Sequence, residues 1–185
     1  MSETNPYDVK IQNVVATATL NQKINLLDIV KAFRNVEYRP KQFPGLVFRM
    51  KKPKTATLIF TTGKMVCTGA KSEKQARSAV KKVVRELKTN GIIILGNPKI
   101  VVQNMVASAN LHSKIDQEAM SDILENVMYE PEQFPGAIYR MTEPKVVLLV
   151  FASGKLVITG AKREEYVQEA VEKMRAILVE NGLLY

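Results

Sequence analysis

Tryptophan is absent from this chain of 185 residues, and cysteine and histidine occur once each, as Cys67 and His112. A single cysteine excludes an internal disulfide and a cysteine cage for a metal, and one histidine in the polar stretch NLHSKID leaves no zinc ligand set. No apolar run reaches the ~18 residues of a membrane span. The opening MSETNPYDVKIQNVVATATL lacks the charged-then-apolar order of a signal peptide, which predicts a soluble protein that stays inside the cell. There is no glycine-rich phosphate loop and no nucleophile with a histidine near it, and TGAK lacks the flanks of a P-loop. The chain does not read as an enzyme, and no cofactor is expected.

Apolar residues make up 46% of the chain, enough for a core. The formal charge of +9 is unevenly spread. Residues 1–95 hold 18 Lys and Arg against 6 Asp and Glu, whereas residues 96–185 hold 9 against 12. A basic balance of this kind favours nucleic acid or an anionic membrane as partner, the alternative being a solvated basic surface. The Lys and Arg residues along 74–88 read as such a solvated helix face.

A shift of 91 residues lays the chain on itself. IQNVVATATL (11–20) meets VQNMVASANL (102–111), QFPGLVFRM (42–50) meets QFPGAIYRM (133–141), and LIFTTGKMVCTGAKSE (58–73) meets LVFASGKLVITGAKRE (149–164). Roughly four positions in ten are identical, which marks a duplication. Two copies are too few for a solenoid, so the halves 1–94 and 95–185 are expected to pack about a pseudo-two-fold axis into one body. Each half predicts a strand over 9–20, a helix over LLDIVKAFR capped by Asn25, strands near 46–51, 55–62 and 64–70 with a hairpin turn at Gly63-Lys64, and a helix over 72–90. Ala76, Ala79, Val80, Val83, Val84 and Leu87 form its apolar stripe, repeated by Tyr166, Val167, Ala170, Val171, Met174 and Leu178. The class is α+β, with two long helices over one face of an antiparallel sheet.

Alternation then says what the other face carries. If Val14, Ala16 and Ala18 meet the helices, Asn13, Val15 and Thr17 point away, as do Leu58 with Phe60 and Val66 with Thr68. Their mates are Asn104, Val106, Leu149, Phe151, Val157 and Thr159. An uncharged, apolar outer face is a contact surface. Cations stand at its margins: Arg49, Lys64 and Lys71, then Arg140, Lys155 and Lys162. Cations suit a phosphate backbone, and Asn, Thr and Val suit the acceptor-lined floor of an A·T minor groove. Aromatic sheets with basic rims also bind single strands by stacking, and in the absence of DNA such a face invites a homodimer.

The paired Gln-Asn strands, both Phe-Pro-Gly turns, both Phe-x-x-Gly-Lys hairpins and both Thr-Gly-Ala-Lys-x-Glu motifs resemble the TATA-box-binding protein family over nearly the whole chain. Intact Phe-Pro-Gly in both halves and the short N-terminus are similar to its archaeal members. The resemblance implies a saddle-shaped curved sheet of two pseudo-two-fold repeats with the long helices on the convex face. It implies a general transcription factor that binds the minor groove of the TATA box and recruits transcription factor B and RNA polymerase. Localisation would be cytoplasmic and nucleoid-associated in an archaeon, nuclear in a eukaryote.

By the same resemblance Phe43 with Phe60, and Phe134 with Phe151, are wedges that insert between base steps. Asn13, Asn104, Thr68 and Thr159 donate to base acceptors, Val15, Val66, Val106 and Val157 line the groove, and Leu58 and Leu149 support the wedges. Arg49, Lys64, Lys71, Arg140, Lys155 and Lys162 hold phosphates. Glu130 and Glu132, which replace Arg39 and Lys41 of the first half, meet basic residues of transcription factor B. Because the groove residues nearly coincide in the two halves, they give the protein little means of orienting itself on the site.

Overall fold

Strand alternation and two helical stripes predict the layering that a computed structural model displays for residues 5–185. Two compact units are present. One runs from Asn13 to Gln103; the other joins the described residues up to Gln12 to Asn104–Tyr185. The boundaries fall inside the first strand of each repeat, whereas the sequence repeats meet in the 91–99 join.

The first unit contains most of β1 (Lys10–Thr19), then α1 (Leu26–Ala32), β2 (Val36–Tyr38), β3 (Leu46–Lys51), β4 (Lys54–Ile59), β5 (Lys64–Ala70) and α2 (Glu73–Thr89). Its strands lie in the order β2-β3-β4-β5-β1, with antiparallel pairing along β2–β3–β4–β5–β1. α2 packs on β4 and β5, burying Ala76, Ala79, Val80, Val83, Val84 and Leu87, the six positions of the predicted stripe. Each fully buried Val or Leu contributes about 1.5–3 kcal/mol, so this face is what holds the helix down. Ser72 Oγ caps the helix by accepting from Gln75 N–H at 3.0 Å, and Gln75 Oε1 accepts from Lys71 N–H at 2.7 Å, a cap that contributes about 1 kcal/mol. Asn25 caps α1 as predicted, accepting from Leu27 N–H.

The second unit repeats the plan with most of β6 (Lys99–Asn110), α3 (Gln117–Ile123), β7 (Val127–Met128), β8 (Ala137–Met141), β9 (Val146–Val150), β10 (Lys155–Ala161) and α4 (Glu164–Glu180). Strand order is β6-β10-β9-β8-β7, and α4 lies on β10. Val167, Ala170, Val171, Met174 and Leu178 are buried. Tyr166, expected among them, is 40% exposed because it stands one residue, about 100° of helix rotation, from Val167 and so lies beside the buried stripe, where its mate Gln75 also stands outside the stripe of α2. α4 also lacks a side-chain cap, since Arg163 stands where Ser72 does in the first repeat.

Two further departures bear on the site. The edge strands β2 and β7 are three and two residues long, too short to show alternation. The strand predicted over 55–62 ends at Ile59, and the chain turns at Phe60. Among the described residues no helix is long and apolar enough to cross a membrane, and no cluster of His, Cys, Asp and Glu is arranged to hold a metal.

Candidate nucleic-acid interface

The face of each sheet opposite its long helix is built by the strand alternation itself. In β1, Val14, Ala16 and Ala18 are fully buried, while Asn13, Val15 and Thr17 are half-buried on the other side. Register carries that face across the first unit. Thr17 lies opposite Val66, Val66 opposite Leu58, and Leu58 opposite Val47. The next row runs from Thr68 to Ala56 to Arg49. In the second unit Ser108, Val157, Leu149 and Ile138 make the matching row, and Thr159, Val147 and Arg140 the next. The predicted groove residues therefore share one face within each unit, with Arg49 and Arg140 at its margin. Lys64 and Lys155 open the hairpin strands, and Lys71 and Lys162 follow their far ends, all exposed. Val47, Ala56, Ile138 and Val147 belong to the same face; extending the alternation to the outer strands finds them.

A bulge sets the polar centre. β1 slips against β5 between Val14 and Ala16, and β10 slips against β6 between Ile158 and Ala161. At the first bulge Gly69 N–H donates to Asn13 Oδ1 at 2.7 Å, and Asn13 Nδ2 donates to Thr68 Oγ1 at 3.2 Å. The second unit repeats both bonds, Gly160 to Asn104 Oδ1 at 2.6 Å and Asn104 Nδ2 to Thr159 Oγ1 at 3.4 Å. The backbone bond fixes which way each amide points. A side-chain amide has two N–H donors and only one is engaged, so the other is available to an acceptor above the sheet. Gln12 and Gln103, to which the sequence assigns no role, also reach this face: Gln12 Nε2 donates to Ser108 Oγ at 2.8 Å and Gln103 Nε2 to Thr17 Oγ1 at 3.0 Å.

The four phenylalanines form two pairs. Phe43 and Phe60 meet edge to face with ring centroids 5.9 Å apart, and Phe134 and Phe151 do so at 6.0 Å. Phe43 is 41% exposed and Phe134 39%, high for rings whose backbone is so firmly held. Phe43 N–H donates to Arg39 O and Phe134 N–H to Glu130 O, while Phe60 and Phe151 donate to Lys64 O and Lys155 O across their hairpins. Those hairpins need glycine. Gly63 has φ +89°, and a Cβ there would stand 2.2 Å from Gln22 O.

The glycine of Phe-Pro-Gly has a different task from the tight turn that its neighbour proline suggests. A Cβ on Gly45 would lie 2.7 Å from Phe43 Cε1 and 3.0 Å from Phe60 Cε1; on Gly136 it would lie 2.7 Å from Phe134 and 3.2 Å from Phe151. These positions are bare so that the two rings can close over the backbone. The second turn has an added tie, since buried Gln117 donates to both Pro135 O and Val150 O at 2.8 Å. Glu130 and Glu132 are exposed on that turn, as Arg39 and Lys41 are on the first.

Comparison with known proteins follows this geometry. The family model described as transcription factor TFIID (or TATA-binding protein, TBP) matches residues 8–90 and again 99–181. The TATA-box-binding protein of Sulfurisphaera tokodaii is 56% identical over 172 residues, covering 93% of this chain and 87% of that one. That of Pyrodictium occultum is 59% identical over 164 residues, covering 89% and 82%. The solved structure of Methanococcus jannaschii TBP superposes with a TM-score of 0.85 at 47% identity, covering 93% of this chain and 98% of that one.

Proposed function

Because the chain belongs to the TATA-box-binding protein family, in its archaeal form, and is therefore a DNA-binding transcription factor without catalytic activity, we propose that it binds the minor groove of an A·T-rich promoter and kinks it with its paired phenylalanines. The observation that carries this reading is the duplicated Phe pair, closed over a glycine that leaves it room. Unstacking a base step costs about a few kcal/mol, and a ring already held at its backbone and against a second ring has little freedom left to lose. Each repeat then makes one kink.

Between the wedges, Asn13, Thr68, Asn104 and Thr159 donate to adenine N3 and thymine O2. Val15, Val66, Val106 and Val157 fill the space that a guanine amino group would occupy, which selects A·T over G·C. Leu58 and Leu149 back the rings. Arg49, Lys64, Lys71, Arg140, Lys155 and Lys162 take phosphates, and the resulting counterion release makes affinity fall with salt. In the free protein Arg49 meets Glu37 at 3.7 Å, both side chains 58% exposed; such a pair contributes little and yields to a phosphate.

Glu130 and Glu132 project from a turn whose mate is basic, so the second repeat presents the acidic surface to which a basic transcription factor B docks, with RNA polymerase following. Competition among an A·T-rich duplex, a G·C-rich duplex and single strands tests the groove reading; preference for single strands would replace it with a stacking surface. Glu130→Arg with Glu132→Arg leaves DNA binding intact and weakens the ternary complex with transcription factor B. Unchanged ternary assembly would remove those two residues from the interface.

A further inference from the structure

α1 buries Leu26 and Ile29 and turns Leu27 and Val30 to solvent, 58% and 40% exposed, with Lys31 beside them on the same face. An aliphatic pair on the outside of a seven-residue helix adds nothing to the core. The second repeat shows that the fold does not ask for it, since the mates of these three residues in α3 are Glu118, Ser121 and Asp122.

The face runs on into a hollow. Past the end of α1, a space of about 450 Å³ has Phe33, Val36, Phe48 and Met50 as its floor, with Arg34, Lys52 and Lys82 on its rim. Phe33 and Phe48 meet edge to face at 5.1 Å. Phe48 belongs to the core cluster that holds Val83 and Leu87 of α2, and the other three floor residues pack against that cluster. The hollow therefore opens on the helix side of the sheet, away from the groove residues. Glu86 is the one acid among the residues that line it.

Charge separates the two repeats along this surface. Lys31, Arg34 and Lys52 have Asp122, Glu125 and Glu143 as their mates, so three cations become three acids. Lys82 keeps its charge as Lys173, and the reason is structural: Lys82 Nζ donates to Lys52 O at 2.6 Å, and Lys173 Nζ donates to Glu143 O. That tie holds the hairpin in both repeats. Among the described residues the side chains of Lys31, Arg34 and Lys52 form no hydrogen bond or ion pair of this kind. Unpaired cations around an apolar floor, at places where the duplicate carries acids, are complementary to an acidic ligand with an apolar anchor.

We infer that this surface of the first repeat docks a short amphipathic helix of a protein partner. Its aliphatic residues lie on Leu27 and Val30, one large apolar side chain fills the hollow, and its carboxylates meet Lys31, Arg34 and Lys52. Anchors three and four residues apart on a helix suit an apolar strip of this form. The second repeat, with acids at the same places, repels such a segment, so each molecule seats one. A nucleic-acid strand would use the cations but stacks on open aromatic faces, and Phe48 is only 7% exposed. The inference goes beyond the groove reading and does not depend on it.

The test is titration with a labelled synthetic amphipathic peptide of about 15 residues, Leu and Phe on one face and Glu on the other, followed by fluorescence polarisation and amide NMR shifts. It is run with and without a saturating A·T-rich duplex. The expected result is binding that survives the duplex and moves the amides of α1, of residues 33–35 and of Lys51 and Lys52. Affinity falls at least about tenfold in Arg34→Glu/Lys52→Glu, and likewise in Leu27→Glu/Val30→Ser. Both variants install residues that the second repeat already carries at these places, so the thermal midpoint holds. Lys74→Glu/Lys88→Glu, charge-matched on the exposed face of α2, binds as the wild type does. Absence of binding, an equal loss in the control, or displacement by the duplex overturns the inference. So does a peptide with Lys in place of Glu that moves the same amides. Displacement by a single-stranded oligonucleotide or by anionic lipid vesicles assigns the surface to that class and overturns it too. If the duplex itself fails to bind, the groove reading falls and the duplex-free titration still decides.

Discussion

Alanine at Gly45 and Gly136 should uncouple the fold from its proposed function. The added methyl would stand 2.7 Å from a ring carbon of Phe43 or Phe134, well inside contact distance, and 3.0–3.2 Å from one of Phe60 or Phe151. The backbone is not strained, so the clash is relieved by the ring that is already 41% or 39% exposed swinging outward. Stability falls little, because the lost edge-to-face contact contributes about 0.5–1.5 kcal/mol and the ring exchanges it for solvent. DNA binding loses more. A ring that has swung free must be re-immobilised, at about 0.5–1.5 kcal/mol, and the partner ring's support is gone as well. Together these come to about 1–3 kcal/mol per wedge, or roughly 5- to 150-fold in affinity for each substitution. Fluorescence polarisation with a labelled A·T-rich duplex reads the affinity, and thermal unfolding reads the fold. Gly96→Ala, where nothing lies within 4 Å of the new methyl, is the neutral control. Wild-type affinity in Gly45→Ala/Gly136→Ala would refute the idea that the rings must be held against each other.

Gln117→Leu, which installs the residue of the first repeat, removes both hydrogen bonds to Pro135 O and Val150 O. It should cost about 1–3 kcal/mol, read as a lowered thermal midpoint; an unchanged midpoint contradicts that tie. Among the described residues Thr57 Oγ1 is buried with no partner in good hydrogen-bond geometry, and the Cys67 thiol that it approaches is a weak one, so Thr57→Val should stabilise by about 1 kcal/mol in denaturant titration. Destabilisation would show that the hydroxyl has a partner. Burial pushes the Cys67 thiol above its ordinary 9.0, against weaker opposing effects of the Thr57 and Thr55 hydroxyls. The unfolded chain therefore releases that proton first, and stability is complete below the ordinary thiol value and declines as pH rises from there through the folded one. Cys67→Val should lessen this alkaline decline, and identical pH profiles would rule it out.

Much of the site was legible because its period is that of a strand. Alternation in 11–20 and 102–111 separated the helix-facing alanines from Asn13, Val15 and their mates, and the six-residue stripe of α2 was read whole. Tyr166 was misplaced because its apolar ring was counted with the stripe although it stands one residue, about 100°, from Val167, off the line that Val167, Ala170, Val171, Met174 and Leu178 trace. The task of Gly45 was hidden for another reason. It depends on Phe43 and Phe60 converging over it, a contact between strands that no local pattern encodes, so the turn chemistry beside it offered the nearer explanation. The bulge that aims Asn13 through Gly69 N–H is hidden in the same way. Gln117 did leave a signal in the repeat, as a polar residue whose mate is Leu26.

Bending of a short A·T-rich duplex, labelled at both ends for energy transfer, tests the central claim most directly when the wild type is set against Phe60→Ala/Phe151→Ala. Strong bending by the wild type, lost in the variant while its thermal midpoint holds, is the predicted result. Wild-type binding without bending, or equal binding to a G·C-rich duplex, would mean that this face recognises something other than a kinked minor groove.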